Sequence, residues 1–215
     1  MSTTEHDHGH PKDNSLDRLL FFSDGVFAIA ITLLAIELHP PHDWDGTFAT
    51  LLREGWPMIA AFSLSFAVVG IFWNSHRRLF SGMERFTAGV FALNLMLLAG
   101  IALMPFVTVL MYTPPITAET FAIYLGLVSV IGLLNGLTYG YAVFIADVVR
   151  PRRHPVHRLA IMLMQSLMPG ACCGLSLMFF ADAPVWITGL LALSVAGLTG
   201  FLIWSNRHFK ISALD

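Results

Sequence analysis

Residues 18–33 have the sequence RLLFFSDGVFAIAITL, in which a short polar cluster, Ser23-Asp24-Gly25, interrupts an otherwise apolar run. The apolar run extends from Leu16 to Leu38, which is long enough to cross about 30 Å of hydrocarbon as one helix. An ionisable side chain inside such a helix is costly to place in lipid and normally faces protein or water. We therefore expect a membrane-spanning helix in which Asp24 is turned toward another part of the protein.

Further apolar runs of similar length follow this one along the chain. The composition agrees with a membrane protein, because 56% of the residues are hydrophobic and 12% are charged, whereas soluble domains have about a quarter charged. The sequence predicts an all-α membrane protein with six transmembrane helices, preceded by a disordered tail (1–15) and followed by a short one (208–215). The predicted spans cover about residues 16–38, 56–75, 87–112, 119–147, 156–180 and 184–206.

Basic residues alternate between the loops that join these spans. The loops on the opposite side contain a single basic residue, Arg53, which neighbouring acidic residues offset. By the positive-inside rule, both termini are then predicted to be cytoplasmic, which requires an even number of spans. The basic residues on the cytoplasmic side are Lys12, Arg18, Arg77, Arg78, Arg85, Arg150, Arg152, Arg153, Arg158, Arg207 and Lys210.

A stripe of small, apolar and hydroxyl side chains follows one face of the first predicted helix. At about 100° per residue, Gly25, Thr32 and Ile36 fall within about 60° of Ile29. Asp24 lies about 140° away from Ile29. The stripe and the carboxylate are therefore expected to face different neighbours.

The second predicted span ends at the same depth as Asp24, with the donors Trp73, Asn74 and His76. Because an unpaired carboxylate is expensive in the membrane, we expect a polar network between the first two helices. The alternative is that Trp73 and Arg77 are merely anchors at the membrane interface.

Motifs for other activities are weak or absent in the sequence. No HExxH, GxSxG or phosphate-binding loop is present, so no enzyme activity and no cofactor are expected. The tail residues His6, His8 and His10 are more typical of a solvated tail than of a metal site. The adjacent Cys172 and Cys173 lie in an apolar run and are more typical of small apolar helix residues than of a disulfide or a metal site. Neither a metal site nor a nucleic-acid partner is expected.

Residues of the first two spans carry a family resemblance. The pattern RxxxFSDG at 18–25 resembles the signature of the transmembrane protein 175 family, which comprises potassium channels of lysosomes and prokaryotes. The end of the second span is also similar to the family pattern. The matching residues are Arg18, Phe22, Ser23, Asp24 and Gly25, then Phe72, Trp73, His76, Leu79 and Phe80.

The resemblance implies a single-repeat prokaryotic member, in the plasma membrane, which lacks the TVGYG filter of other potassium channels. Such members form homotetramers in which the first helix lines the pore. Carried onto this chain, Ile29 and Ile36 would make an apolar constriction, Thr32 would contribute to selectivity, and Gly25 would line the pore. The permeant ion would be K⁺, and the polar residues Arg18, Ser23, Asp24, Trp73, Asn74 and His76 would be structural.

Two other functions remain open from the residues alone. Asp24 and His76 could form an acid–base pair in a proton-coupled secondary transporter or proton pathway, although no inverted repeat is evident. A membrane enzyme or a structural scaffold is the other alternative.

Overall fold

The computed structural model describes residues 14–41, 44–150, 158–159 and 161–163. Within these residues, four α-helices are long and apolar enough to cross a membrane, and a five-residue π-helical turn continues the last of them. Apart from residues 158–159 and 161–163, the predicted fifth and sixth spans lie outside the described residues, as do the tail residues His6, His8 and His10 and the cysteines Cys172 and Cys173. The helices are α1 (Asn14–Ile36), α2 (Phe48–Phe80), α3 (Ala88–Leu110) and α4 (Ala118–Gly140), and the π-helical turn is Tyr141–Ile145.

The second helix is longer than the sequence predicts, because it begins at Phe48 rather than near Trp56 and so includes Arg53. Its start is fixed by the preceding turn, where the Asp45 carboxylate accepts hydrogen bonds from the Thr47 backbone N–H and hydroxyl, at 2.9 and 2.8 Å, and from the Thr50 hydroxyl at 3.0 Å. The backbone hydrogen bond from Thr47 is the main reason that the pKa of Asp45 is lowered from its usual value. Arg53 therefore belongs to a helix and not to a loop.

Threonine caps the N-terminus of three helices in the same way. Thr47, Thr87 and Thr117 precede α2, α3 and α4, and each side-chain oxygen accepts a hydrogen bond from the backbone N–H three residues later. Such a cap satisfies one of the N–H groups that the first helical turn leaves without a partner.

Helix α3 lies at the centre of the described bundle and packs against the other three helices. Its side chains Leu97, Ile101 and Met104 are almost completely buried. Phe27 of α1 and Ile131 of α4 pack into the same apolar cluster from either side. The side of α1 that touches α3 is therefore fixed by packing.

The loop between α2 and α3 contacts the segment that follows α4. The Glu84 N–H donates to the Val148 carbonyl at 2.9 Å, and the Arg150 N–H donates to the Gly82 carbonyl at 2.7 Å. The Arg150 guanidinium also lies 3.6 Å from the Glu84 carboxylate. These contacts bring the two arginine-rich segments to one end of the bundle, which is the arrangement that the alternating charges predict.

Helix α3 packs closely against α4 at Gly100, and substitution of this glycine tests the contact. A Cβ at this position would lie 2.8 Å from Cγ1 of Ile131, whereas a Cβ at Gly126 would meet nothing within 4 Å. We expect Gly100→Ala to lower the free energy of unfolding by about 1–2 kcal/mol, since overpacking exceeds the gain in helix propensity. The measurement is the temperature at which the purified protein loses its monodisperse peak in size-exclusion chromatography after heating.

Gly126→Ala is the matched control and should be neutral or slightly stabilising, because it makes the same helix-propensity gain without a clash. Equal stability of the two variants would contradict the described contact between α3 and α4.

Candidate functional site

Helix α1 has two faces with opposite surroundings. Phe27, Ala30 and Leu34 are 1–2% exposed and pack into the bundle core. On the other face, Ile29 is 60% exposed and Ile36 is 63% exposed. Gly25 and Thr32 lie on this face and are exposed too. The predicted stripe of Gly25, Ile29, Thr32 and Ile36 is thus a continuous surface that the described part of the chain leaves uncovered.

The only hydroxyl in this stripe has a defined orientation. Thr32 Oγ1 donates its hydrogen to the Ile29 carbonyl at 2.8 Å. The hydroxyl oxygen therefore keeps its lone pairs free on the exposed face. An oxygen held in this way can accept a hydrogen bond from water or contact a cation.

The Asp24 carboxylate lies away from the stripe and is held by α2. Trp73 Nε1 donates a hydrogen bond to Asp24 Oδ1 at 2.8 Å. The Arg77 guanidinium lies over the Trp73 ring, 5.6 Å from its centroid. Trp73 thus joins Asp24, through a hydrogen bond, and Arg77, which lies over its ring, into one unit near the end of α2.

A second, fully buried network joins three helices. His76 Nε2 lies 2.8 Å from Asn94 Oδ1, and Asn94 Nδ2 donates to Ser23 Oγ at 2.9 Å. Ser23 Oγ in turn donates to the Leu19 carbonyl at 2.8 Å. An amide oxygen can only accept a hydrogen bond, so Nε2 of His76 carries the proton. The hydrogen bonds of this network therefore all run in one direction, from His76 through Asn94 and Ser23 to the Leu19 carbonyl of α1.

The His76 ring is enclosed by apolar neighbours. It stacks on Phe80, with ring centroids 4.1 Å apart, and lies at a tilt against Phe27 at 5.5 Å. Its Nδ1 is buried and has no hydrogen-bond partner among the described residues. The ring therefore acts as a buried packing element with one polar link, to Asn94.

The structure brings together four of the six residues predicted for the polar network, in two separate units. Asp24 pairs with Trp73, whereas Ser23 and His76 meet through Asn94. Within the described residues, Arg18 and Asn74 are exposed and no hydrogen bond links them to either unit. Asn94 was missed by the sequence analysis, and its signal was a single amide within the apolar third span.

The site lies within the region that a known family shares with this chain. A family model described as the endosomal/lysosomal potassium channel TMEM175 matches residues 18–105, which include the stripe and both polar units. A crystal structure of a lysosomal potassium-selective channel TMEM175 homolog from Chamaesiphon minutus superposes with a TM-score of 0.65 at 27% identity. The superposition covers 90% of this chain and 100% of that one. Over residues 18–105, and over most of its fold, the chain is thus similar to the TMEM175 family.

Relatives in bacteria and in animals match over part of their length. A potassium channel of Streptomyces collinus is 40% identical over 99 residues, covering 46% of this chain and 48% of the relative. A potassium channel of Chamaesiphon minutus is 39% identical over 105 residues, which cover 47% of this chain and 51% of that relative. The mouse endosomal/lysosomal proton channel TMEM175 is 27% identical over 159 residues, covering 66% and 31%. The chain thus spans about half the length of the bacterial relatives that it matches.

The observed helices agree with this similarity. Four described helices are long and apolar enough to cross a membrane, and together with the match to a channel family they make the chain an integral membrane protein. The matched family is one of ion channels, which are not a class of enzyme. In the described part of the chain, no three side chains of His, Cys, Asp or Glu are grouped so that they could hold a metal ion.

The buried network can be tested at Asn94. Asn94→Leu should lower the free energy of unfolding by about 1–3 kcal/mol, because it leaves the buried Ser23 and His76 side chains without their shared partner. Thermal stability in detergent is the measurement.

Asn74→Leu is the matched control, since it is the same chemical change on an exposed residue of α2. It should leave the stability almost unchanged. If both variants had the melting temperature of the wild type, the network would not hold the three helices together.

Proposed function

We propose that this chain is a passive, potassium-preferring cation channel in which α1 from each of four identical subunits lines the pore. One observation carries the proposal: from Gly25 to the end of α1, the stripe of Gly25, Ile29, Thr32 and Ile36 is exposed while the opposite face is buried. Four copies packed around an axis would turn these stripes toward one another. The names of the bacterial relatives, potassium channels, support the same activity.

The chemistry of the stripe suits weakly selective conduction. Rings of Ile29 and Ile36 would form narrow apolar constrictions, which can close by dewetting and which make ions lose part of their hydration. Between them, the Thr32 oxygens would partly replace the lost water. K⁺ gives up its water more readily than Na⁺, so a moderate preference for K⁺ follows.

Gly25 and the polar units have supporting roles in this proposal. A Cβ at Gly25 would meet nothing within 4 Å, so the glycine keeps the cytoplasmic mouth of the pore wide. The Asp24–Trp73 pair and the Ser23–Asn94–His76 network hold α1 in the rotation that presents the stripe. The protein would reside in a prokaryotic plasma membrane, with both termini in the cytoplasm.

The constriction is tested by shortening Ile29. In proteoliposomes, Ile29→Ala should raise passive K⁺ flux roughly ten-fold or more, because a wider apolar ring lowers the dewetting barrier by more than about 1.4 kcal/mol. Potassium-driven uptake of a tracer cation measures the flux.

The matched control is Ile71→Ala on α2, where the side chain is 68% exposed but lies outside the stripe. It should leave the flux at the wild-type level. Equal effects of the two substitutions, or no effect of either, would remove Ile29 from the pore.

Selectivity is tested at Thr32. Thr32→Val keeps the shape of the side chain but removes the hydroxyl oxygen, so the ratio of K⁺ to Na⁺ flux should fall at least two-fold. Thr32→Ser keeps the oxygen and should hold the ratio near that of the wild type. If valine and serine change the ratio equally, the hydroxyl takes no part in selectivity.

A proton pathway is the second candidate function, and two observations favour considering it. The animal relatives are named proton channels, and the buried His76 Nδ1 lacks a partner among the described residues. Against it, Asp24 is bound to Trp73 and His76 to Asn94, so the carboxylate and the imidazole do not share a hydrogen bond. The test is acidification of the lumen of proteoliposomes under an inward pH gradient, at zero membrane potential and without K⁺. Acidification by the wild type that is lost in Asp24→Asn would support a proton pathway.

A further inference from the structure

A groove of about 310 Å³ opens beside the start of α1, and Leu19, whose carbonyl ends the buried network, lies in its lining. Its second wall comes from the loop before α3 and from the first turn of that helix. The lining residues are Ser15, Arg18, Leu19, Phe22, Phe86 and Phe91. By the distribution of arginines, the groove opens at the cytoplasmic surface of the membrane.

The groove combines apolar walls with one positive charge. Phe86 and Phe91 meet at a tilt with ring centroids 5.9 Å apart, and Phe22 is 53% exposed beside them. Arg18 lies exposed in the same lining. Among the described residues that line the groove, none is acidic. The site therefore complements a ligand with one negative group and an attached hydrocarbon chain.

We propose that this groove binds an anionic phospholipid of the cytoplasmic leaflet. The Arg18 guanidinium would hold the phosphate through paired N–H donors, and the three phenylalanines would line the first part of an acyl chain. The depth is suitable, because Arg18 lies one turn before Phe22 at the entry of α1 into the membrane. This inference rests on the cytoplasmic orientation given under the proposed function.

Such a lipid would act on the helix that carries the stripe. Leu19 lines the groove and is 5% exposed, and its carbonyl accepts the hydrogen bond from Ser23 that ends the buried network. A phospholipid bound against Leu19 and Phe22 would thus stabilise the start of α1. The occupant is a lipid and not free phosphate, because most of the lining is apolar.

The test uses the full chain, purified in detergent, and measures thermal stability during titration with short-chain lipids. Dioctanoyl phosphatidylglycerol should raise the melting temperature in a saturable way, whereas dioctanoyl phosphatidylcholine and glycerol phosphate should not. Arg18→Gln should weaken the apparent affinity for phosphatidylglycerol about five-fold, which is the effect of one basic residue on anionic lipid. Arg78→Gln, an exposed arginine outside the groove, should not change it.

Phe91→Ala gives an independent arm, because it keeps Arg18 and removes part of the apolar wall. It should weaken the affinity by a similar factor. Equal stabilisation by phosphatidylcholine, or unchanged affinity in Arg18→Gln and Phe91→Ala, would overturn the proposal. With Cys172 and Cys173 replaced by alanine, spontaneous cross-linking of Phe91→Cys between two copies would also overturn it, because a second subunit would then lie at the groove. Ion flux is not used here, so failure of the channel proposal would leave this result intact.

Discussion

Every polar side chain inside a membrane bundle needs a partner within the protein, and in this chain Asn94 meets that requirement for three helices at once. Asn94 accepts a hydrogen bond from His76 of α2 and donates one to Ser23 of α1. Ser23 in turn donates a hydrogen bond to the Leu19 carbonyl. In any other rotation of α1, the Asn94 amide N–H would lose its acceptor Ser23, and an unpaired buried amide costs free energy. The network therefore fixes which face of α1 is turned toward the core.

The exposed face of α1 follows from that constraint. With Phe27, Ala30 and Leu34 turned inward, the stripe of Gly25, Ile29, Thr32 and Ile36 has to face outward. Its single hydroxyl satisfies its own hydrogen on the Ile29 carbonyl, so the stripe contains no unsatisfied donor. Such a surface is compatible both with lipid and with a narrow pore between subunits, and the proposed channel function requires the pore.

Local features of the sequence predicted much of this arrangement. The position of the first four helices follows from runs of apolar residues, and the separation of Asp24 from the stripe follows from helical periodicity. The pairing of Asp24 with Trp73 followed from matching depth and donor chemistry. The longer start of α2 was missed because the charged residues Arg53 and Glu54 suggest a loop, whereas the Asp45–Thr47 turn allows a helix to begin before them.

The role of Asn94 was not predictable from local pattern. It is 71 residues from Ser23 and 18 from His76 in the chain, so the three side chains meet through helix packing alone. The acid–base pair of Asp24 and His76, which the sequence left as an alternative, has no direct hydrogen bond for a related reason. Trp73 donates to Asp24, and α3 supplies Asn94 as the partner for His76.

The central claim is that the stripe of α1 lines an aqueous pore, and cysteine accessibility tests it most directly. With Cys172 and Cys173 replaced by alanine, a single cysteine is introduced at Thr32, and in a matched variant at Leu103 of α3, which is 53% exposed. The account predicts that a water-soluble methanethiosulfonate reagent reacts at position 32 and blocks K⁺ flux, while position 103 stays unreactive and flux persists. An unreactive position 32 in a conducting protein would contradict it.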